Sequence, residues 1–293
     1  ESIFTTGWYQ PLDVAQRWFV DPEILASRSI EDIYVDTERI AVYRFTDVGG
    51  SVEFGVNLSE VSQVRLGYVS MRRRSEVQTG ISNLPGVDQR IAEVDERDAG
   101  LLASFTFDSR DADTFALRGA AAELLYLRSD QSLGGDRDWS RAEGGLRKGF
   151  AIRENAMWLT LAGGIDLSDD RLPGDRTFSL GGPRTLPAYQ FDEFRVRSYW
   201  LADLSFLWRL VELIPVRNQA IYGGFGLTAA GLYDRVDRIE DGEVYSVSAL
   251  LGGPTPIGTL TVGIGGAEDS WGFWLSLGRP VGKGSILDQG LFR

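Results

Sequence analysis

Apolar and polar residues alternate one by one along stretch after stretch of this chain, a period of two that restricts the fold more than any other feature. In "SVEFGVNLSE", residues 51–60, Val52, Phe54, Val56 and Leu58 point one way in an extended chain, and Glu53, Gly55, Asn57 and Ser59 point the other. Each such strand has one oily and one wet face. In a soluble protein the oily face meets a core; in an outer-membrane barrel it meets lipid while the wet face lines an aqueous lumen. The same pattern recurs in "VRLGYVS", "LLASFTF", "WLADLSFLW", "LTVGIGG" and "WGFWLSLG", with glycine and small polar residues repeatedly on the second face. Such a face suits a lumen or a tightly curved wall better than a packed core.

The residue inventory removes whole classes of chemistry. With no cysteine there are no disulfides or thiolate nucleophiles, and with no histidine the commonest general base and metal ligand is missing. No metal or other cofactor is therefore expected. A net charge of -12 repels a phosphate backbone, so no nucleic-acid partner is expected, and the basic run "MRRRSE" at 71–76 reads as a solvated tip. No stretch reaches the roughly 20 apolar residues of a spanning helix, whereas a transmembrane strand needs only about 9–11 with half of them apolar.

About fourteen strands are expected, near 4–10, 16–27, 38–48, 51–59, 61–71, 98–108, 114–129, 139–149, 155–167, 197–210, 218–234, 244–252, 257–266 and 270–279. In a zigzag the long connections 72–97, 130–138, 168–196 and 235–243 share one end, and the other end receives mostly short turns. Outer-membrane barrels have this asymmetry, with short periplasmic turns and long outside loops. The same count puts both termini on the periplasmic side. Strands longer than the globular average of about 5–6 residues, and aromatics near strand ends at Trp8, Trp139, Trp158, Trp200 and Trp271, weigh against a soluble sandwich or lipocalin-like barrel. The expected fold is all-β: one transmembrane antiparallel β-barrel over residues 1–293.

Three stretches, in order, resemble the outer membrane protein 85 superfamily, whose barrels insert or secrete other proteins. "FTFDSRDADTFALRGAAAELLY" is similar to its strand–turn–strand, with Asp108, Arg110, Asp111, Arg118 and Gly119 matching an aspartate-rich turn and an Arg-Gly-like pair. "FSLGGPRTLPAY" resembles its inward-folded loop: Leu180, Gly181, Gly182, Leu186 and Tyr189 fit, while Pro187 and Ala188 replace the Arg and Gly of the family tetrad. "TPIGTLTVGIG" is similar to the penultimate strand, through Pro256, Ile257, Gly258 and Leu260. The nearest variety is the C-terminal barrel of bacterial patatin-like phospholipase autotransporters, the type V (type Vd) secretion proteins of Gram-negative bacteria. That resemblance implies a sixteen-stranded parent, two strands missing at the N-terminus, and an upstream periplasmic domain and lipase passenger.

Read from the residues alone, Asp108, Arg110 and Asp111 serve turn geometry, and Gly181 and Gly182 permit backbone conformations closed to other residues. A connection as long as 168–196 needs a reason to exist, and folding back into a polar lumen supplies one. Arg184, Arg195 and Arg197 are then expected to pair with lumen carboxylates such as Glu53, Glu123 or Asp203, with Arg184 substituting for the family's arginine.

The expected function is physical: a non-enzymatic outer-membrane anchor that helps export an attached passenger, its partners being membrane lipid, the passenger and the barrel-assembly machinery, with a homodimer open. Outer-membrane chains commonly end in an aromatic that this machinery reads, and Phe292 is penultimate here. The rivals are a passive porin-like channel, an insertase, and an enzyme using carboxylates such as Asp192 and Glu193. For the enzyme no Gly-x-Ser-x-Gly elbow occurs, and Ser-His machinery is impossible.

Overall fold

A computed structural model describes residues 2–35, 38–80, 94–111, 118–214, 219–236, 241–255 and 258–278. Fifteen strands form one antiparallel sheet: β1 (Ser2–Gly7), β2 (Gln10–Pro11), β3 (Trp18–Val35), β4 (Glu38–Ser59), β5 (Ser62–Gly80), β6 (Asp95–Asp108), β7 (Gly119–Ser129), β8 (Trp139–Ile152), β9 (Asn155–Asp166), β10 (Phe178–Leu180), β11 (Phe194–Ile214), β12 (Gln219–Arg235), β13 (Gly242–Thr255), β14 (Gly258–Gly266) and β15 (Trp271–Leu277). Thirteen follow one another along the wall in sequence order; β2 flanks β3, and β10 flanks β11. Among the described residues no ladder joins β15 back to β1. There is no α-helix among them either, only 3-10 turns at Gln131–Leu133 and Gly174–Arg176.

The alternation resolves as a lipid-facing wall. Val52 and Phe54 are 54% and 47% exposed, while Ser51 and Glu53 on the opposite face are each 5% exposed. This inverts a soluble protein, where water would stabilise the outward face only if it were polar. Trp271, Phe273, Leu275 and Leu277 likewise point outward from β15. Along the wall each central strand is laddered to a neighbour on both sides over most of its length, the arrangement that lets a sheet cross hydrocarbon.

One expectation about the strands is corrected. The stretches 38–48 and 51–59 form one strand, β4, so among the described residues thirteen strands follow one another along the wall. Gly49 and Gly50 do not make a turn. They let both neighbours approach: a Cβ at Gly49 would stand 2.2 Å from the Ser70 carbonyl oxygen of β5, and one at Gly50 would stand 2.5 Å from that of Glu23 of β3. With one crossing fewer, β1 and β15 both run toward the short-turn end, and Ser2 lies part-way along the wall beside Arg28. The grouping of connections is unaffected, and those leaving Gly80, Ser129, Asp166 and Arg235 share one end.

The aromatics divide. Trp8, Trp200 and Trp271 are exposed on the outer face, but Trp139 and Trp158 turn inward at 7% and 1% exposure. Trp139 Nε1 donates to Asp98 Oδ1 at 2.8 Å, and the Trp158 ring lies over Gly149 with the Arg147 guanidinium 4.7 Å above its face. Inner-face glycines thus seat rings and backbone as well as widening a lumen.

Candidate functional site

The connection between β9 and β11 runs inside the sheet, and its buried stretch from Leu172 to Leu180 is gripped by the wall at its root. Asp166 starts the turn, accepting the Leu172 amide at 2.7 Å and the Ser168 amide at 2.9 Å. Three arginines from three different strands then hold three loop carbonyls. Arg197 of β11 donates to Leu172 O at 2.9 Å, Arg73 of β5 to Asp175 O at 2.7 Å, and Arg141 of β8 to Arg176 O at 2.7 Å.

The two charged residues of the Gly174–Arg176 turn are buried and paired with wall charges. Asp175 meets Arg137 at 3.2 Å and Arg176 at 2.7 Å; Arg176 pairs with Asp98, and Arg137 with Glu96. Arg73 is fixed in turn by a bidentate bond to Asp47 at 2.7 and 2.9 Å, the geometry that makes guanidinium–carboxylate pairs directional. Burial alone would raise the Asp175 carboxyl, but Arg176, Arg73 and Arg137 outweigh it and hold it below the usual aspartate value.

Beyond the root, β10 pairs with the start of β11 and lays the loop along the wall. Its apolar side chains Phe178, Leu180 and Leu186 pack on Val196, Tyr199, Leu201, Ala230 and Leu232, the inward residues of β11 and β12. Gly181 and Gly182 adopt φ of 128° and 82°, the left-handed region that glycine enters without strain. Thr185 Oγ1 ties that turn by bonding both the amide and the carbonyl of Gly181 at 2.9 Å.

At the apex, Leu186 and Ala188 are fully buried, and Tyr189 meets Phe194 edge-on with centroids 4.8 Å apart. The backbone of Pro187 and Ala188 rests on the last hairpin. A Cβ at Gly265 of β14 would stand 2.3 Å from Pro187, one at Gly272 of β15 would stand 2.7 Å from its carbonyl, and Ser270 donates to Ala188 O at 2.7 Å. The loop therefore spans the lumen, rooted on β5, β6 and β8 and touching β14 and β15 at its apex. Where the resembling family has Arg and Gly, this chain has a stiff Pro187 and a small Ala188 whose backbone fits against two bare glycines.

The other motif residues fall as follows. Asp108 is bound by Arg110 through its amide at 3.0 Å and its guanidinium at 3.0 and 2.7 Å; Asp111 Oδ1 accepts the Arg118 amide at 3.2 Å; Gly119 takes φ 107°. All five lie at the short-turn end and do the work of a turn. Gly258 has φ 133°, and Leu260 faces outward; Pro256, Ile257 and Phe292 lie outside the described residues. Asp192 and Glu193 are turn ligands, accepting from Ser179 Oγ at 2.5 Å and from the Gln190 amide at 2.6 Å.

Of the expected arginines, Arg195 does meet an inward carboxylate, though one outside the three named. Arg195 pairs with Glu31 of β3, and Arg197 holds a loop carbonyl. Glu53 is held by Arg65 at 3.3 Å, and Asp203 by Ser205 at 2.5 Å and Thr228 at 3.0 Å, so those two acids are engaged by wall residues. Arg184 sits half-buried near the apex. The root residues Arg73, Asp98, Arg137, Arg141, Asp175 and Arg176 were not anticipated. For Arg73 the signal was present: it shares strand parity with the inward Val69 and Ser75, whereas Arg72 and Arg74 do not.

A profile of the Omp85 superfamily domain matches residues 1–283. Among solved structures, BamA from Haemophilus ducreyi lacking POTRA domains 1–3 superposes with a TM-score of 0.73 at 11% identity, over 94% of this chain and 60% of that one. CdiB from Acinetobacter baumannii gives 0.61 at 11% identity, and CdiB from Escherichia coli 0.59 at 15%, each over 94% of this chain and 50% of the other. The chain thus spans 50–60% of the length of these structures, and at such identities the likeness is one of fold. No curated protein matches the sequence.

Proposed function

The chain belongs to the Omp85 superfamily as a bacterial outer-membrane β-barrel, and from that premise we propose that it anchors, and helps carry across the membrane, polypeptide attached upstream of it. The observation that carries this reading is the loop spanning the lumen from β5, β6 and β8 to β14 and β15. A wall of this size without such an insert leaves a wide aqueous path, and a loop docked at both ends obstructs it.

The passenger of this reading is the patatin-like lipase that the sequence resemblance implies, so any catalysis resides outside the barrel. Taking the short-turn end as periplasmic, β15 delivers the chain toward the periplasm. An odd number of further crossings before Ser2 brings the upstream segment to the same side. The barrel-assembly machinery acts during biogenesis, and lipid is the permanent partner.

The test uses cells that make the full natural polypeptide. Protease added outside should cut the upstream segment while the barrel stays heat-modifiable. Protection of that segment in intact cells, with a properly inserted barrel, would leave the anchor and remove the export. Faster insertion of a second barrel protein into vesicles containing this chain would favour the insertase instead.

A further inference from the structure

The run "RRR" at 72–74 is divided between two environments: Arg73 turns inward to the loop root, while Arg72 and Arg74 are 61% and 56% exposed on the outer wall. The ladder pairs Ala26, Val48, Arg72 and Arg97 in one row, and Arg28, Thr46, Arg74 and Asp95 in the next. Arg72, Arg74 and Arg97 thus stand on neighbouring rows beside Asp95, with Arg28 two strands along from Arg74, on the outer face of a chain whose net charge is -12. Asp95 takes Arg72 at 2.6 and 2.9 Å and Arg74 at 2.9 Å. Arg28 and the Arg97 guanidinium have no carboxylate partner among the described residues. Further acids lie in the same region: Glu76, 4.0 Å from Arg44, and Asp136, whose carboxylate accepts the Arg97 amide at 2.6 Å.

Height on the wall says what meets this patch. Below it on the same strands come the outward Tyr68, Val52 and Leu66, and an aromatic next to an apolar band marks the boundary between hydrocarbon and headgroups. The patch is on the side of the long connections. Between it and the tyrosine the wall is hollowed: a groove of about 530 Å³ is lined by Trp8, Ile24, Gly50, Val52 and Tyr68, with bare Gly50 at its floor in the row next to Arg72. A positive rim above an apolar slot is complementary to one kind of molecule.

We propose that this surface binds a lipid of the outward-facing leaflet, its net-anionic phosphate headgroup held by Arg28, Arg72, Arg74 and Arg97 and one acyl chain lying in the groove over Gly50. Guanidinium suits this role because its planar fork matches phosphate oxygens. The inference rests on the outer-membrane location and not on what the barrel carries.

The experiment counts lipids retained by the detergent-extracted chain in native mass spectrometry, with phosphatidylglycerol or phosphatidylcholine supplied in micelles. The chain should retain phosphatidylglycerol preferentially, and R72Q/R74Q/R97Q should lose that preference at about fivefold in affinity per arginine. D95N, which removes the carboxylate shared by Arg72 and Arg74 and leaves the outer wall intact, should strengthen retention. Equal retention of the two lipids by the native chain, or an unchanged preference in the heat-modifiable triple variant, would overturn the proposal. So would displacement of the retained phosphatidylglycerol by inorganic phosphate at the same concentration, since the acyl groove would then contribute nothing.

Discussion

Asp175 has a fully buried side chain among Arg73, Arg137 and Arg176, and its lowered pKa couples loop docking to pH. Because the folded value lies below the unfolded one of about 3.9, its contribution is complete at neutral pH and is lost as pH falls through the folded value. Docking should therefore be level from pH 7 to about 5 and weaken below about 4, read as faster protease cleavage within residues 168–196. Asp175→Asn keeps the shape and removes the buried carboxylate that Arg137 and Arg176 share, leaving Arg137 with Glu96 and Arg176 with Asp98. Removing one partner of a buried pair costs about 3–5 kcal/mol, so this variant should release the loop at neutral pH while the wall stays heat-modifiable. Exposed Arg128–Asp130 at 2.8 Å makes the contrast, since a pair of that kind contributes about 0–1 kcal/mol and its loss should leave docking unchanged.

Strand β4 offers a direct measure of which solvent each face meets. Phe54→Arg places a charge on the lipid face and should destabilise the folded barrel by about 2–4 kcal/mol if it lies near the bilayer midplane, lowering the temperature at which the compact band is lost on an unboiled gel. Phe54→Leu should change that temperature little. The alternation that makes these outcomes expected was legible in residues 51–60 without a structure, as were the shared end of the long connections and the inward loop. The extent of β4 was not legible, because "VGGS" has the local signature of a turn and only the closeness of Ser70 and Glu23 shows why glycines sit inside a strand. The loop root was not legible either. Its carbonyl partners come from β5, β8 and β11, up to 102 positions away in sequence in the case of Arg73 and Asp175, and nothing local marks such pairs. The apex contact was visible only as an oddity, two residues departing from a family tetrad at Pro187 and Ala188.

The intact barrel should be a poor conductor. In planar bilayers the native chain is expected to show a small or flickering current, and a variant whose residues 172–190 are replaced by a short Gly-Ser bridge a larger, steadier one. An equally large current from the native chain would mean that the loop does not obstruct the lumen and would favour the porin-like reading. Salt should separate the two sets of charges in the same molecule. Raising ionic strength from about 0.1 to 1 M shortens the screening length from about 10 to 3 Å, which weakens lipid retention at the exposed outer arginines and leaves the buried loop root in place.

The seat of Pro187 and Ala188 on Gly265 and Gly272 also imposes an order of events in time. The apex lies between the inner surface of the last hairpin and the centre of the molecule, and the hairpin is the later part of the chain to be made. In first assembly the loop is expected to be parked before the final hairpin closes over it, and a Gly265→Val chain should stall late, with most strands paired and the last hairpin slow to close.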